Sequence, residues 1–157
     1  DRGRRLPESA GRPGTGIRPL NKALLDTDIL SEITKGVNQV VAARATAYRR
    51  AFPRYTISSV TFMEAVRGYQ KKQATRQLQS FLAAMASEEV IAFDRPAAEL
   101  AGRIAGELER IGRPIGVADP MIAAIALIHG LDLVTGNTAH YRRIQQLGYP
   151  LALADWR

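Results

Sequence analysis

The chain of 157 residues contains no cysteine and only two histidines. The absence of cysteine excludes disulfide bridges, thiolate zinc sites and cysteine nucleophiles, and it fits a reducing, cytoplasmic compartment. Long apolar runs are missing too, because no segment approaches the roughly 18 apolar residues that span a bilayer. We therefore expect a soluble protein with no membrane partner, in which oxygen or imidazole groups hold any metal ion.

The rest of the composition is that of one globular domain, with 46% apolar and 24% charged residues. Because the first 22 residues are rich in arginine, glycine and proline, we expect a flexible basic tail over residues 1–22 and a folded domain over residues 23–157. The net charge is +7, and beyond the tail basic side chains cluster within residues 44–54 and 67–76. Such local patches favour a phosphate-backbone partner, although solvated helix faces show the same pattern.

Short apolar or β-branched segments alternate with helical periodicity along residues 23–157. Strands are predicted at Ala23–Leu25, Thr56–Val60, Val90–Phe93 and Asp132–Thr135, with helices between them and after the last strand. This alternation predicts an α/β fold in which a parallel sheet carries helices on both faces. Functional sites of such folds form at the carboxyl ends of the strands.

Four polar residues lie at junctions between predicted strands and helices: Asp26, Glu64, Asp119 and Asn137. Each has a purely structural alternative. Thr61 and Glu64 match a capping box, whereas Asp119 and Asn137 match helix N-caps. Asp26 would similarly form an Asx turn.

If these junctions share one edge of one sheet, three carboxylates and an amide oxygen converge on a small volume. Two like charges ~4 Å apart repel by roughly 4 kcal/mol at an effective dielectric of ~20, so such a site requires protonation or a cation. Oxygen ligands without cysteine favour Mg²⁺ or Mn²⁺ over zinc. The pattern therefore indicates metal-dependent phosphoryl transfer or nuclease chemistry, because such an ion activates water and neutralises charge on a phosphodiester.

Four segments resemble the PIN domain, in particular the VapC and FitB-like toxins of type II toxin-antitoxin systems: Leu24–Asp28, Ser59–Ala65, Gly112–Gly130 and Leu131–Ile144. The likeness extends over residues 23–157 and includes Ala-Asp-Trp near the end, which resembles a short C-terminal strand. The resemblance implies a three-layer α/β/α sandwich with a central, mainly parallel sheet. It also implies a Mg²⁺-dependent endoribonuclease that forms a homodimer, cleaves RNA such as tRNA or rRNA, and is neutralised by a cognate antitoxin.

The resemblance assigns roles to five positions. Asp26, Glu64 and Asp119 correspond to the three acids that hold the metal in the family. Asn137 stands where many members carry a fourth acid, which leaves one-metal and two-metal chemistry open, and Thr135 aligns with a threonine that orders the site. In the implied mechanism, Asp26 and Asp119 bind the ion directly, Glu64 binds it directly or through a water, and a metal-activated water attacks the phosphate.

Two further positions depart from the family pattern. Asp28 stands where asparagine or serine is more frequent, and it would add a carboxylate or face solvent. His140 stands where an acid is frequent; the surface of a helix is the expected place for it, and assistance to a proton transfer is the alternative.

Two other functions remain open from the residues. The Asp-Thr-Asp of Asp26–Asp28 also resembles the D-x-D motif of haloacid-dehalogenase-like phosphatases, but Leu30 replaces the threonine or valine of that motif and no later lysine or paired-aspartate motif is evident. The second alternative is a catalytically weak PIN-like module that only binds an antitoxin or nucleic acid, since Asn137 would weaken its metal site.

The helix predicted over Gln73–Ala86 carries apolar side chains at helical spacing, namely Leu78, Phe81, Leu82 and Met85. Such a stripe is core in most proteins. It would equally form part of a groove that receives a partner helix, the mode expected for an antitoxin tail.

Overall fold

The computed structural model of the protein describes residues 20–157, so the tail expected over residues 1–22 lies almost entirely outside the described residues. At the boundary, the carbonyl oxygen of Lys22 accepts a 3.2 Å hydrogen bond from the Asp132 N–H. The Lys22 ammonium also lies 2.8 Å from Glu89 Oε1. Lys22 is therefore attached to the sheet just before the first strand.

Five strands form one sheet: β1 (Ala23–Leu25), β2 (Thr56–Ser58), β3 (Glu89–Ile91), β4 (Asp132–Val134) and β5 (Leu153–Ala154). Their spatial order is β3-β2-β1-β4-β5, and all four neighbouring pairs are parallel. Leu24 of β1 lies opposite Thr56 of β2 and Leu133 of β4. The strand order reverses at β1, and ligands of such sheets bind at that switch point, outside the carboxyl ends of the strands.

Seven helices cover the sheet within residues 20–157: α1 (Thr27–Lys35), α2 (Gln39–Ala51), α3 (Ser59–Lys71), α4 (Thr75–Met85), α5 (Arg95–Arg110), α6 (Ala118–His129) and α7 (Thr138–Gln146). Successive strand side chains point to opposite faces of the sheet. Leu24 accordingly packs in a core shared with α5, α6 and α7, whereas Leu25 packs in a second core with α1, α2 and α4. This confirms the three-layer α/β/α fold.

The α6 helix is the most deeply buried helix of the first core. Every residue from Ile122 to Ala126 has no exposed surface, as the nearly uninterrupted apolar sequence predicts. Burying a side chain such as Ile122 or Ile125 contributes about 1.5–3 kcal/mol, so this packing fixes the position of α6 and of the polar residue at its start. Of the helices between residues 20 and 157, none combines the length and apolar composition needed to cross a bilayer.

The strand β2 ends at Ser58 rather than at Val60. The Ser58 hydroxyl accepts a 3.0 Å hydrogen bond from the Thr61 N–H and so caps α3, which begins at Ser59. The capping box predicted for Thr61 and Glu64 is therefore wrong, because Thr61 already lies inside the helix. Glu64 lies further along α3, and its side chain is not used in capping.

The N-cap prediction is wrong for Asp119, and for Asn137 it is correct in position but not in the side-chain hydrogen bond. The α6 helix begins at Ala118 with Val117 in the N-cap position, so Asp119 lies in the first helical turn. Asn137 does occupy the N-cap position of α7, but its side chain makes no capping hydrogen bond. Both side chains are thus available for contacts at the carboxyl edge of the sheet.

Candidate active site

Asp26 lies at the carboxyl end of β1 and forms the centre of the site. Its N–H donates to the Val134 carbonyl at 2.9 Å, which continues the pairing with β4. Its Oδ1 atom accepts from the Thr27 N–H at 2.8 Å and caps α1. Its Oδ2 atom accepts from the hydroxyls of Thr135, at 2.8 Å, and Tyr141, at 3.2 Å. With only 6% of its surface exposed, Asp26 is a buried carboxyl held by three donors.

Burial raises the pKa of Asp26 to about 6. The hydrogen bond from Thr135 acts in the opposite direction, whereas the negative charges of Asp28 and Asp119 raise this pKa further. A carboxyl whose ionised form is destabilised by burial and like charges gains from a nearby cation. The surroundings of Asp26 therefore favour either a bound proton or a bound positive ion.

Tyr141 connects Asp26 to Asp119. Its hydroxyl oxygen lies 3.2 Å from Asp26 Oδ2 and 3.2 Å from Asp119 Oδ1. Burial and the two carboxylates raise the pKa of Tyr141, so the phenol keeps its proton. Tyr141 was not predicted from the sequence as a site residue, because a tyrosine on the buried face of α7 is typical of an ordinary core position. The available signal was a tyrosine hydroxyl one helical turn after Asn137 on the buried face.

Asp119 is held by the start of α7 as well. Its Oδ2 atom lies 2.9 Å from His140 Nδ1 and 3.3 Å from Asn137 Nδ2. The Asn137 and His140 nitrogens are also 2.9 Å apart. Both groups donate to Asp119 when the His140 proton is on Nδ1. His140 was expected on the surface of a helix, and its side chain is indeed 41% exposed. It also contacts Asp119, which the surface position alone does not describe.

Asp28 holds the loop between β4 and α7 rather than facing solvent. Its Oδ2 atom accepts from the Gly136 N–H at 2.8 Å, and its Oδ1 atom accepts from the Ile29 N–H at the same distance. A Cβ atom on Gly136 would overlap the guanidinium of Arg157. Gly136 in this loop thus contacts the Asp28 carboxylate through its N–H and lies next to the Arg157 guanidinium.

Glu64 contacts Thr27, the residue that follows Asp26 in the chain. Its Oε1 atom accepts from the Thr27 hydroxyl at 2.7 Å, and its Oε2 atom lies 3.9 Å from the Arg67 guanidinium. No group of three or more acidic or imidazole side chains among residues 20–157 is arranged to hold a metal ion. The Tyr141 hydroxyl therefore connects Asp26 to Asp119, whereas Glu64 is connected to Asp26 through Thr27.

Comparisons with known proteins identify the family. The sequence model of the PIN domain matches residues 23–145. The tRNA(fMet)-specific endonuclease VapC of Shigella flexneri is 36% identical over 124 residues, which cover 78% of this chain and 92% of that protein. Ribonuclease VapC10 of Mycobacterium tuberculosis is 32% identical over 143 residues, which cover 85% of this chain and 96% of the relative.

Solved structures of VapBC complexes also contain chains that are similar to this one. The DNA-bound VapBC complex of Salmonella typhimurium includes a chain with a TM-score of 0.73 and 31% identity, over 88% of this chain and 100% of that chain. VapBC2 of Rickettsia felis, bound to a promoter DNA fragment, gives a TM-score of 0.73 and 26% identity over 86% and 98%. A PIN fold excludes the phosphatase alternative. The chain belongs to the PIN domain family and is a ribonuclease toxin of the VapC type.

Proposed function

We propose that this toxin hydrolyses RNA phosphodiester bonds at the carboxyl edge of its sheet, within a catalytic domain formed by residues 23–157. Asp26, Asp119 and Glu64 are the proposed metal-holding acids, and Thr135 and Asn137 are the proposed supporting residues. The observation that carries the proposal is the meeting of the Asp26 and Asp119 carboxylates on one hydroxyl group, that of Tyr141, although the chain separates them widely.

The chemistry of the donor set fits a divalent cation. Asp26 and Asp119 offer carboxylate oxygens, and the burial that raises the Asp26 pKa to about 6 makes a positive partner favourable. Glu64 would contribute directly or through a water. Oxygen donors of this kind suit Mg²⁺ or Mn²⁺. When bound, such an ion supplies an activated water and neutralises charge on the phosphodiester.

Hydrogen bonds from the surrounding residues support the orientation of both carboxylates. Thr135 and the Thr27 N–H hold the two oxygens of Asp26. Asn137 and His140 hold Oδ2 of Asp119. Preorganised ligands of this kind need little rearrangement during the reaction, and loss of such outer hydrogen bonds typically lowers activity by about 10- to 100-fold.

RNA is the proposed substrate, because the relatives are named as a tRNA-specific endonuclease and as a ribonuclease. Arg67 lies beside Glu64 with 70% of its side chain exposed, and Arg157 packs on Gly136 at the other end of the site. We propose that these two arginines contact the phosphates that flank the cleaved bond. Arg49 of α2 is less suited to this role, because it lies 2.6 Å from Glu88, a closer ion pair than those of Arg67 with Glu64 at 3.9 Å and of Arg157 with Asp155 at 3.5 Å.

An antitoxin is the proposed protein partner, because neighbouring structures are toxin-antitoxin complexes. A groove of about 420 Å³ runs between α1, α3 and α4, and begins at Thr27 and Glu64. Its lining includes Leu30, Tyr69 and Phe81, which supports the docking of an apolar helix face. Of the stripe expected on α4, Phe81 is buried, Leu78 and Met85 are half-buried and Leu82 is 43% exposed. Resemblance to VapC toxins supports a homodimer as well.

The central test is the substitution Asp119→Asn. It keeps the shape of the side chain and an oxygen that accepts from Tyr141, but it removes the charge that a cation requires. We expect cleavage of tRNA in Mg²⁺ to fall about 100-fold or more, and EDTA to abolish it in the wild type. Circular dichroism would verify the fold.

Glu99→Gln is the matched control for this test. Glu99 lies on α5, is 68% exposed and pairs with Arg103, so its charge is removed outside the site. We expect unchanged cleavage in this variant. Full activity of Asp119→Asn would overturn the assignment, and cleavage that persists in EDTA would overturn the metal dependence.

A further inference from the structure

Tyr141 occupies an unusual position, because one buried hydroxyl contacts two carboxylates from different parts of the chain. The residue has no exposed surface and reaches the site from α7. Its oxygen lies 3.2 Å from Asp26 Oδ2 and 3.2 Å from Asp119 Oδ1. A phenol has one proton, so it donates to one carboxylate at a time or shares the proton between the two. Its hydroxyl is therefore the link between the two acids.

We propose that the Tyr141 hydroxyl is a positioning group that holds Asp26 and Asp119 together when no cation is bound, and that it competes with a divalent cation for their oxygens. This inference rests on the proposed function, in which a cation binds these two acids. Two neighbouring carboxylates repel each other most strongly where water is excluded. A neutral donor between them relieves part of this repulsion, and a cation that binds the same oxygens must replace it.

The other donors at the site each serve a single acid. Thr135 donates to Asp26 alone, whereas Asn137 and His140 contact Asp119 alone. Within residues 20–157, Tyr141 is the only side chain whose hydroxyl lies within hydrogen-bonding distance of both acids. Loss of its hydroxyl therefore affects the pair, whereas loss of another donor affects one member.

The substitution Tyr141→Phe removes the hydroxyl and retains the buried ring. The full chain is compared with the wild type by thermal unfolding in EDTA, and by calorimetric titration with MgCl₂ or MnCl₂ in the absence of RNA. We expect the melting temperature in EDTA to fall by about 3–8 °C. We expect the affinity for the ion to rise about 3- to 10-fold, because the competing donor is gone.

Tyr55→Phe is the matched control. The Tyr55 hydroxyl is also buried, but it donates to the Ala45 carbonyl at 3.3 Å and contacts neither acid. This variant should lose stability without any change in ion affinity. Such a result would show that the gain in Tyr141→Phe does not follow from general loosening of the core.

Two failures are distinguishable. If the wild type binds the ion and Tyr141→Phe binds it equally or more weakly, the competition is overturned while the proposed function stands. If neither protein binds Mg²⁺ or Mn²⁺, the metal-dependent function is overturned, and the competition fails with it.

Discussion

The Thr135 hydroxyl donates a 2.8 Å hydrogen bond to Asp26 Oδ2 across 109 positions of the chain. Both residues are buried. The same hydroxyl oxygen accepts from the Asn137 N–H at 3.0 Å. One side chain thus ties the carboxylate after β1 to the loop that leads into α7.

Replacing Thr135 with valine should destabilise the protein. Valine has nearly the same shape but no hydroxyl, so the Asp26 carboxylate loses a donor and the Asn137 N–H loses its acceptor. We expect the free energy of unfolding to fall by about 1.5–3 kcal/mol, measured by urea denaturation. Thr135→Ser keeps the hydroxyl and should lose less. A valine variant as stable as the wild type would contradict this role.

The raised pKa of Asp26 predicts an unusual pH dependence of stability. Folding raises this pKa from 3.8 to about 6, mainly through burial, so the folded protein binds a proton that the unfolded chain has released between these values. The contribution of Asp26 to the free energy of unfolding should therefore fall by about 3 kcal/mol as pH rises from about 4 to above 6.

Urea denaturation across this pH range in EDTA measures the effect. Asp26→Asn has no ionisable carboxyl at this position, so it should lack the decrease, and its stability relative to the wild type should rise with pH. Parallel pH profiles for the two proteins would show that Asp26 has an ordinary pKa.

Replacing Gly136 with alanine should displace Arg157. Gly136 is not in the left-handed region, so its backbone accepts alanine, but the new Cβ would overlap the Arg157 guanidinium. Because the end of an arginine side chain moves easily, we expect stability to change by only about 0.5 kcal/mol. RNA affinity should fall as much as in Arg157→Ala, as measured by fluorescence anisotropy.

Gly106→Ala on α5 is the control, since nothing lies within 4 Å of its added Cβ. It should leave RNA affinity unchanged and raise stability by about 0.5–1 kcal/mol through helix propensity. In the double variant, Gly136→Ala should add no further loss to Arg157→Ala. Additive losses would show that Gly136 acts independently of the arginine.

Arg67 provides a test of RNA contact through salt dependence. Each phosphate contact contributes about 0.7 to 0.9 to the slope of log affinity against log salt. In the Asp119→Asn background, where RNA should remain intact, we expect Arg67→Ala to reduce the slope by about this amount. Arg103→Ala, which removes an arginine paired with Glu99 on α5, should not. Equal slopes for all three proteins would exclude Arg67 from the interface.

Local sequence was sufficient to predict the architecture. Apolar and β-branched runs such as Ala23–Leu25 form strands because their side chains fill both faces of a buried sheet, and the uniformly apolar α6 is buried as expected. The ends of elements were harder to predict. The Ser58 hydroxyl accepts a hydrogen bond from the Thr61 N–H and caps α3. The helix therefore begins at Ser59, and β2 ends before the predicted Val60.

The site was predicted less completely than the fold. Asp26 follows from the rule that sites of parallel sheets form at the carboxyl ends of the strands. Asp119 does not, because α6 follows α5 with no strand between them, so that the packing of α6 brings Asp119 to this edge. Three contacts were not predictable: Tyr141 with both acids, Asp28 with Gly136, and His140 with Asp119. Each depends on how α7 and its preceding loop pack against α1 and α6.

By itself, the sequence determined the α/β architecture, the residue types available to a cation and the family resemblance, because these depend on short-range pattern and composition. Only the tertiary structure decided that Asp26 and Asp119 share the Tyr141 hydroxyl. It also decided that Glu64 is connected to Asp26 through Thr27. The physical reason is that a hydrogen bond requires atoms within about 3 Å. Small differences in helix packing, which no local pattern encodes, decide such distances.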